Sequence, residues 1–321
     1  VPINLKQDQR PKRPQVPQVI GGFLNVNKDA GMTSMDVLRQ IKRITGQKKV
    51  GHGGTLDPDA TGVLPVAIGK ATRFLELVLS GRKTYVITVK LGSSTNTYDA
   101  SGEVTDSSDA SGVTREMVED ALDGFRGDIE QVPPMFSALK RDGVPLYKLA
   151  RQGIEVERKA RPVTVYGLSI ANWDHPDFGL EIDCSSGFYA RSLAYDLGGA
   201  VGTHAHLTTL VRTKASGFEI GQAISLDDLE SLASADRWQE DAVLPIDAVL
   251  SDLPRVAMNP LTGDQIRNGQ SVRATSKEVD GANVEEGDLV RVYDSEGVFI
   301  ATAEFDPSGP FWKPDKVISP A

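Results

Sequence analysis

Apolar positions recur along this 321-residue chain with two different periods. The segment VIGGFLNVNK holds a short apolar run and predicts a strand. Behind it, Val37, Leu38, Ile41 and Ile44 recur at helical spacing, with Thr33 or Ser34 placed to cap the start and Gly46 to stop the helix. VLPVAI predicts a buried strand, KATRFLELVLS a short amphipathic helix, and YVITVKLG a half-buried strand. TREMVEDALDGF and YARSLAYDLGGAVG predict helices, whereas VTVYGLSIANW, GLEIDCS and HLTTLVRTKASGF predict strands. Because strands and helices alternate irregularly, the expected fold is α+β around a mixed sheet, not a doubly wound parallel one.

The pattern breaks in three places. Residues 1–19, rich in Pro, Gln, Lys and Arg, predict a flexible basic tail. Residues 131–161 mix Pro, Gly, bases and aromatics with no period and predict an arm inserted into the main domain. The two proline segments of VLPIDAVLSDLPRV mark a boundary, which gives a main domain over 20–250 and a small β-rich domain over 251–321. In the latter, GDLVRVYDSEGVFIATAEFD predicts two strands around a DSEG turn.

Composition narrows the class. With 40% hydrophobic and 25% charged residues the chain has an ordinary globular balance. Cys184, the single cysteine, can form neither an internal disulfide nor a Cys-rich zinc site, which points to a reducing compartment, the cytoplasm by default. No apolar run approaches the roughly 18 residues that span a bilayer, and the N-terminal segment lacks a signal-peptide core. A net charge of −9 taken alone argues against a nucleic-acid partner. Yet the bases gather in 1–50 and 131–161 and the acids in 101–130 and 221–250, so a positive face toward phosphates remains open beside the plainer reading of solvated surfaces.

The stretch GHGGTLDPDATG, from Gly51 to Gly62, concentrates the candidate chemistry. It can be a turn, a metal or phosphate cradle, or a loop that presents one carboxylate. AIGKAT fails the Walker A pattern, since Leu64 stands where the first glycine belongs and Ala71 where Ser or Thr belongs. GHGG has no G-x-S-x-G partner, so an α/β-hydrolase is excluded. His204 and His206 lack the further ligands a zinc site needs, and DPD supplies too few regularly spaced oxygens for a calcium loop. No metal is expected, and a structural turn competes evenly with a catalytic loop.

Beyond these local readings, KKVGHGGTLDPDATGVLPVAIGKATR resembles the signature loop of the TruB family of bacterial tRNA pseudouridine synthases. KTYVITVKLGSSTNTYDASGEV resembles the family's K-x-Y strand and T-x-D-x-x-G turn, and CSSGFYARSLAYDLG its C-S-x-G-x-Y-[IA]-R motif. VPPMFSALKRDGVPLYKLARQGIEVERKARPVTVY resembles its RNA-gripping insertion, and TLVRTKASGF its late strand. The similarity runs in the expected order over residues 22–220.

The resemblance implies isomerisation of uridine 55 in the tRNA T-loop to pseudouridine, without cofactor, by a monomer that needs no protein partner and no membrane. It implies Asp57 as the reacting carboxylate, Arg191 as the cation that keeps it ionised, and Tyr85 as the aromatic that stacks on the base and takes part in removing the C5 proton. Tyr189 and Leu210 match positions lining the uracil pocket, and His52 matches the histidine that fills the gap left in the RNA stack. Asp99 is implied in pocket or RNA contacts, Asp59 in an ordinary turn, and Lys140, Arg141 and Arg151 in phosphate contacts. The C-terminal region resembles a PUA-like RNA-binding module, but its acidic balance departs from one that grips RNA. Two other readings stand beside this: a guide-RNA-dependent synthase of the same superfamily, and a non-catalytic RNA-binding or RNA-folding protein on the same scaffold.

Overall fold

The computed structural model describes residues 21–141, 143–274, 278–279, 282–306, 308–309 and 311–318. The basic tail expected over 1–19 lies outside them. A nine-stranded sheet organises the larger part of the chain. Its strands are β1 (Gly21–Lys28), β2 (Val50–His52), β3 (Thr61–Gly69), β4 (Lys83–Leu91), β5 (Gly127–Gln131), β6 (Arg161–Asp174), β7 (Asp177–Cys184), β8 (Ala205–Ala215) and β9 (Phe218–Glu219). The main path runs β1-β3-β8-β4-β7-β6-β5, with β2 added to β3 and β9 to β8. β8 lies parallel to β3 and antiparallel to β4, so the sheet is mixed, in an α+β fold.

Local sequence accounts for the helices that flank it. In α1 (Ser34–Thr45), Thr33 and Asp36 form a reciprocal capping box, and Gly46 closes the last turn with φ 70°. A cap of this kind stabilises a helix by roughly 0.5–2 kcal/mol. Val37, Leu38 and Ile41 are buried against Leu24, Val26, Leu64 and Val66 of β1 and β3. α2 (Leu75–Ser80) follows a 3-10 turn over Lys70–Phe74, α3 (Arg115–Leu122) is capped by Thr114, and α4 (Ala190–Ala200) buries Leu193, Ala194 and Leu197. Thus β4, β7, α3 and α4 share one hydrophobic core, β1, β3 and α1 a second. Leu210 of β8 packs against both, which puts the centre of the sheet at their junction.

The arm leaves the sheet at Gln131 and returns at Arg161, two residues paired across β5 and β6. Between them lie a two-residue hairpin, Lys140–Arg141 with Val144–Pro145, and a short helix, Leu146–Ala150. A second sheet of five strands, including Leu289–Tyr293 and Phe299–Asp306, forms the C-terminal part and agrees with the expected strand pair around DSEG. It seats on the first through Tyr293 and Phe299, which join Phe23, Phe74 and Val78 in one apolar cluster. The Tyr293 hydroxyl donates to Asp247 at 2.6 Å, and the Arg73 guanidinium donates to the Val317 carbonyl at 2.7 Å. No helix among the described residues is long and apolar enough to cross a membrane.

Candidate active site

The loop between β2 and β3 is fixed by backbone bonds from several directions. Ser34, at the start of α1, both receives the Leu56 amide at 2.9 Å and donates to the Leu56 carbonyl at 3.2 Å. On the other side of Asp57, the Pro58 carbonyl accepts from Gly31 N at 3.0 Å and from Lys28 Nζ at 2.9 Å. Gly53 donates to Pro65 at 2.8 Å, and Ala60 to Asp57 at 3.2 Å, closing the turn. Two glycines are demanded by neighbours: a Cβ on Gly53 would stand 2.3 Å from Val78, and one on Gly62, at φ 99°, would stand 2.3 Å from the Arg212 carbonyl. With its main chain held on both flanks, Asp57 presents a preorganised carboxylate.

Arg191 meets that carboxylate. Its Nε lies 3.0 Å from Asp57 Oδ2 and 3.6 Å from Asp99 Oδ2. Its other nitrogens donate to the Thr97 carbonyl at 3.2 Å and the Phe136 carbonyl at 2.8 Å, so the buried guanidinium is bonded on three sides. Asp99 is held in turn by Thr97 Oγ1 at 2.7 Å and by the Ser101 amide at 3.0 Å, both on Oδ1. Thus Asp57, Asp99 and Arg191, far apart in sequence, form one cluster.

The environment around Asp57 raises its pKa above the ordinary carboxylate value. Burial raises its pKa most strongly, Arg191 opposes that rise, Asp99 adds to it, and Lys28 opposes it more weakly. Desolvation therefore outweighs the arginine's attraction. The side chain nonetheless keeps 46% of its accessible surface, so the carboxylate is crowded by protein yet open to solvent.

Tyr85 and Leu210 line the same sheet. Tyr85 faces Arg212 across β4 and β8, and Leu210 faces Ile87 two rungs away. Burial pushes the Tyr85 phenol above its ordinary value while Arg212 opposes the shift, so the phenol is neutral at neutral pH. Tyr189 precedes α4; its backbone amide donates to the Gln131 side chain at 2.7 Å, and its carbonyl accepts from the same amide group at 3.0 Å. His52, at the end of β2, is half-buried and neutral, its pKa lowered first by burial and then by Arg212. Asp59 is an exposed turn residue. Of the histidines weighed as metal ligands, His206 places Nδ1 2.8 Å from the Ser93 carbonyl.

The arm's bases lie elsewhere. Lys140 and Arg141 border a hollow of about 300 Å³ together with Arg158, Lys159 and Arg161, against Pro133, Leu139 and Leu146. Arg151 is not among these residues and instead covers the Tyr147 ring at 5.5 Å. The sequence pointed to the bases of 131–161 as a group and singled out Lys140, Arg141 and Arg151; Arg158, Lys159 and Arg161, clustered in ERKAR, are the ones that join Lys140 and Arg141 at the hollow. Sequence reasoning missed Lys28 and Arg212, which support the Asp57 loop; only the position of Arg212 in the late strand hinted at it.

Comparison with known proteins bears on this arrangement. Residues 42–190 match the N-terminal domain model of TruB family pseudouridylate synthases, 191–251 the tRNA pseudouridylate synthase B C-terminal domain, and 254–313 the C-terminal model of pseudouridine synthase II TruB. A tRNA pseudouridine synthase B from Dehalococcoides mccartyi is 42% identical over 296 residues, covering 92% of this chain and 96% of that protein. One from Saccharophagus degradans is 43% identical over 308 residues, covering 94% and 95%. Among solved structures, a chain of a Cbf5-Nop10-Gar1 complex superposes with a TM-score of 0.72 at 27% identity, covering 93% of this chain and 85% of that one. The mixed sheet and its aspartate-bearing loop thus belong to a pseudouridine synthase, an isomerase. Within that class, the chain belongs to the TruB family.

Proposed function

We propose that this enzyme isomerises uridine 55 in the T-loop of tRNA to pseudouridine in the cytoplasm, taking the nucleotide out of its stack and using Asp57 as the reacting carboxylate. The observation that carries this reading is the contact of Asp57 with Arg191 at 3.0 Å, in a loop pinned on both flanks and open to solvent. The N1–C1′ bond breaks with its electron pair on the uracil ring, the ring turns, and that pair forms the C5–C1′ bond. The C5 proton then leaves and N1 takes one up, so no atom, electron or cofactor is gained or consumed.

Asp57 must begin as an anion, whether it attacks C1′ or removes a ribose proton. Arg191 supplies the charge that opposes desolvation, and Asp99 with two backbone carbonyls fixes how the guanidinium lies. Tyr85, as a neutral phenol, offers its ring face to the base and a hydroxyl that can pass on the C5 proton. Tyr189 and Leu210 complete an apolar pocket for a base removed from its stack. His52, being neutral, stacks among the RNA bases without adding charge.

Tritium release from tRNA carrying 5-tritiated uridine at position 55 tests the proposal, since loss of the C5 proton is intrinsic to this chemistry. The wild-type protein should release the label without any guide RNA. Asp57→Asn should lose at least about a thousandfold in rate while binding the same tRNA within about threefold. Normal release by that variant would remove Asp57 from the reaction, and no release by the wild type would favour a binding-only protein.

A further inference from the structure

Arg212 is a buried cation for which the reaction as described above has no use. It is 1% exposed, and among the described residues no carboxylate pairs with it. Its Nε donates to the Val63 carbonyl at 2.7 Å and its Nη2 to the Gly54 carbonyl at 3.1 Å. The third nitrogen, Nη1, lies 3.4 Å from where a Cβ of Gly54 would stand. Its backbone is paired with Tyr85 on one side and Gly62 on the other. A guanidinium is therefore held between the catalytic loop and the tyrosine strand by neutral partners that leave its charge uncancelled.

Of the other cations, Arg191 and Lys28 are occupied, and Lys83, whose Nζ bonds the Val78, Leu79 and Gly81 carbonyls, has its pKa lowered to about 8 by burial. Arg191 faces two carboxylates, Asp57 and Asp99, and is outnumbered by them. Lys28 is bonded to the Asp29 and Pro58 carbonyls and faces Asp57, Asp59 and Asp29. Yet breaking N1–C1′ leaves an electron pair on the uracil ring, spread over N1 and the flanking carbonyl oxygens. In a cleft that already holds two carboxylates, that developing anion requires positive potential.

Building on the pseudouridine synthase reading, we propose that Arg212 supplies this potential. It acts through Tyr85, its cross-strand neighbour, on whose ring the base rests. It is a positioning residue that touches no substrate atom: it fixes the phenol and the Gly54 carbonyl while its charge favours departure of the uracil anion. The groups acting on the phenol are Arg212, Cys184 and Asp57, and of these the arginine alone is cationic.

Single-turnover rates on two tRNAs separate this role from a structural one. One carries uridine at the target position and the other 5-fluorouridine, whose fluorine stabilises the departing anion by itself. Breakage of the glycosidic bond is followed by nucleoside chromatography after digestion. Arg212→Gln should slow uridine by about 100-fold with tRNA affinity kept within about threefold, whereas the deficit on 5-fluorouridine should fall below about tenfold. Arg212→Lys, which keeps the charge, should recover most of the uridine rate. Equal deficits on both substrates, or a lysine variant as slow as the glutamine one, would reduce Arg212 to a structural clamp.

Should Arg212→Gln not fold, Arg212→Met takes its place in the same comparison of the two tRNAs; an equal loss on both overturns the proposal. A wild-type enzyme that makes no pseudouridine from uridine is a different result, and overturns the underlying reading instead.

Discussion

The cleft around Asp57 and the basic hollow of the arm use charge in opposite ways. In the cleft, Asp57, Asp99 and Arg191 are locked by hydrogen bonds to Thr97, Ser101 and Phe136, and both signs of charge lie within 4 Å. In the hollow, Lys140 and Arg141 stand exposed, and Arg141 and Arg158 each bond a backbone carbonyl, of Glu157 and Pro133, at 3.1 Å. The first arrangement adds little net charge but fixes geometry, which is what bond making requires. The second leaves net positive charge in water, where it attracts phosphates at long range and is screened by salt. On the proposed function, chemistry and grip fall in separate places, and substitutions should separate them.

The largest effect falls in the cleft. Arg191→Met removes the contact that opposes desolvation of Asp57, and turnover at neutral pH should drop about 100-fold or more, with affinity for tRNA nearly unchanged. Arg191→Lys keeps a charge but loses the planar fork that reaches both carbonyls, so it should fall between the two. A tenfold loss of affinity without loss of turnover would blur the division between the regions. The arm gives the smaller effect: with Lys140 and Arg141 both changed to Ala, tRNA binding at low salt should weaken about tenfold. The slope of log Kd against log salt should also fall by about 1 to 2, while turnover at saturation holds. An unchanged slope, measured by filter binding across a salt series, would place the phosphate contacts elsewhere.

How much of this could be read from sequence depended on the range of the interactions. The helix after Thr33 was legible because its cap, apolar stripe and stop all lie within 14 residues. The mixed sheet was legible from strands whose apolar period is strong, such as β4 and β7. Strand β5 escaped because GDIEQ sits at the sheet edge and buries only Gln131 fully. The helix Leu226–Ser234, also unread, buries only Leu226 and Leu229.

In the site, the motif singled out Asp57 and separated it from Asp59, which the structure places on an exposed turn. The supports were harder to see. Arg212 reaches carbonyls 149 and 158 residues away, and Lys28 one 30 residues away, so nothing local in sequence announces either contact. Likewise the hollow gathers bases from two stretches of the arm, and Lys140 and Arg141 become neighbours of Arg158, Lys159 and Arg161 only when the chain folds back.

The central claim is that Asp57 reacts as an anion which burial disfavours and Arg191 sustains. Its most direct test is the pH dependence of the single-turnover rate on tRNA for the wild type and for Arg191→Met. Burial raises the Asp57 pKa and the arginine lowers it, so activity should be present above that pKa and lost as pH falls through it. The account predicts an acid limb above the ordinary carboxylate range in the wild type, displaced to still higher pH in Arg191→Met. Superimposable acid limbs in the two proteins would contradict it.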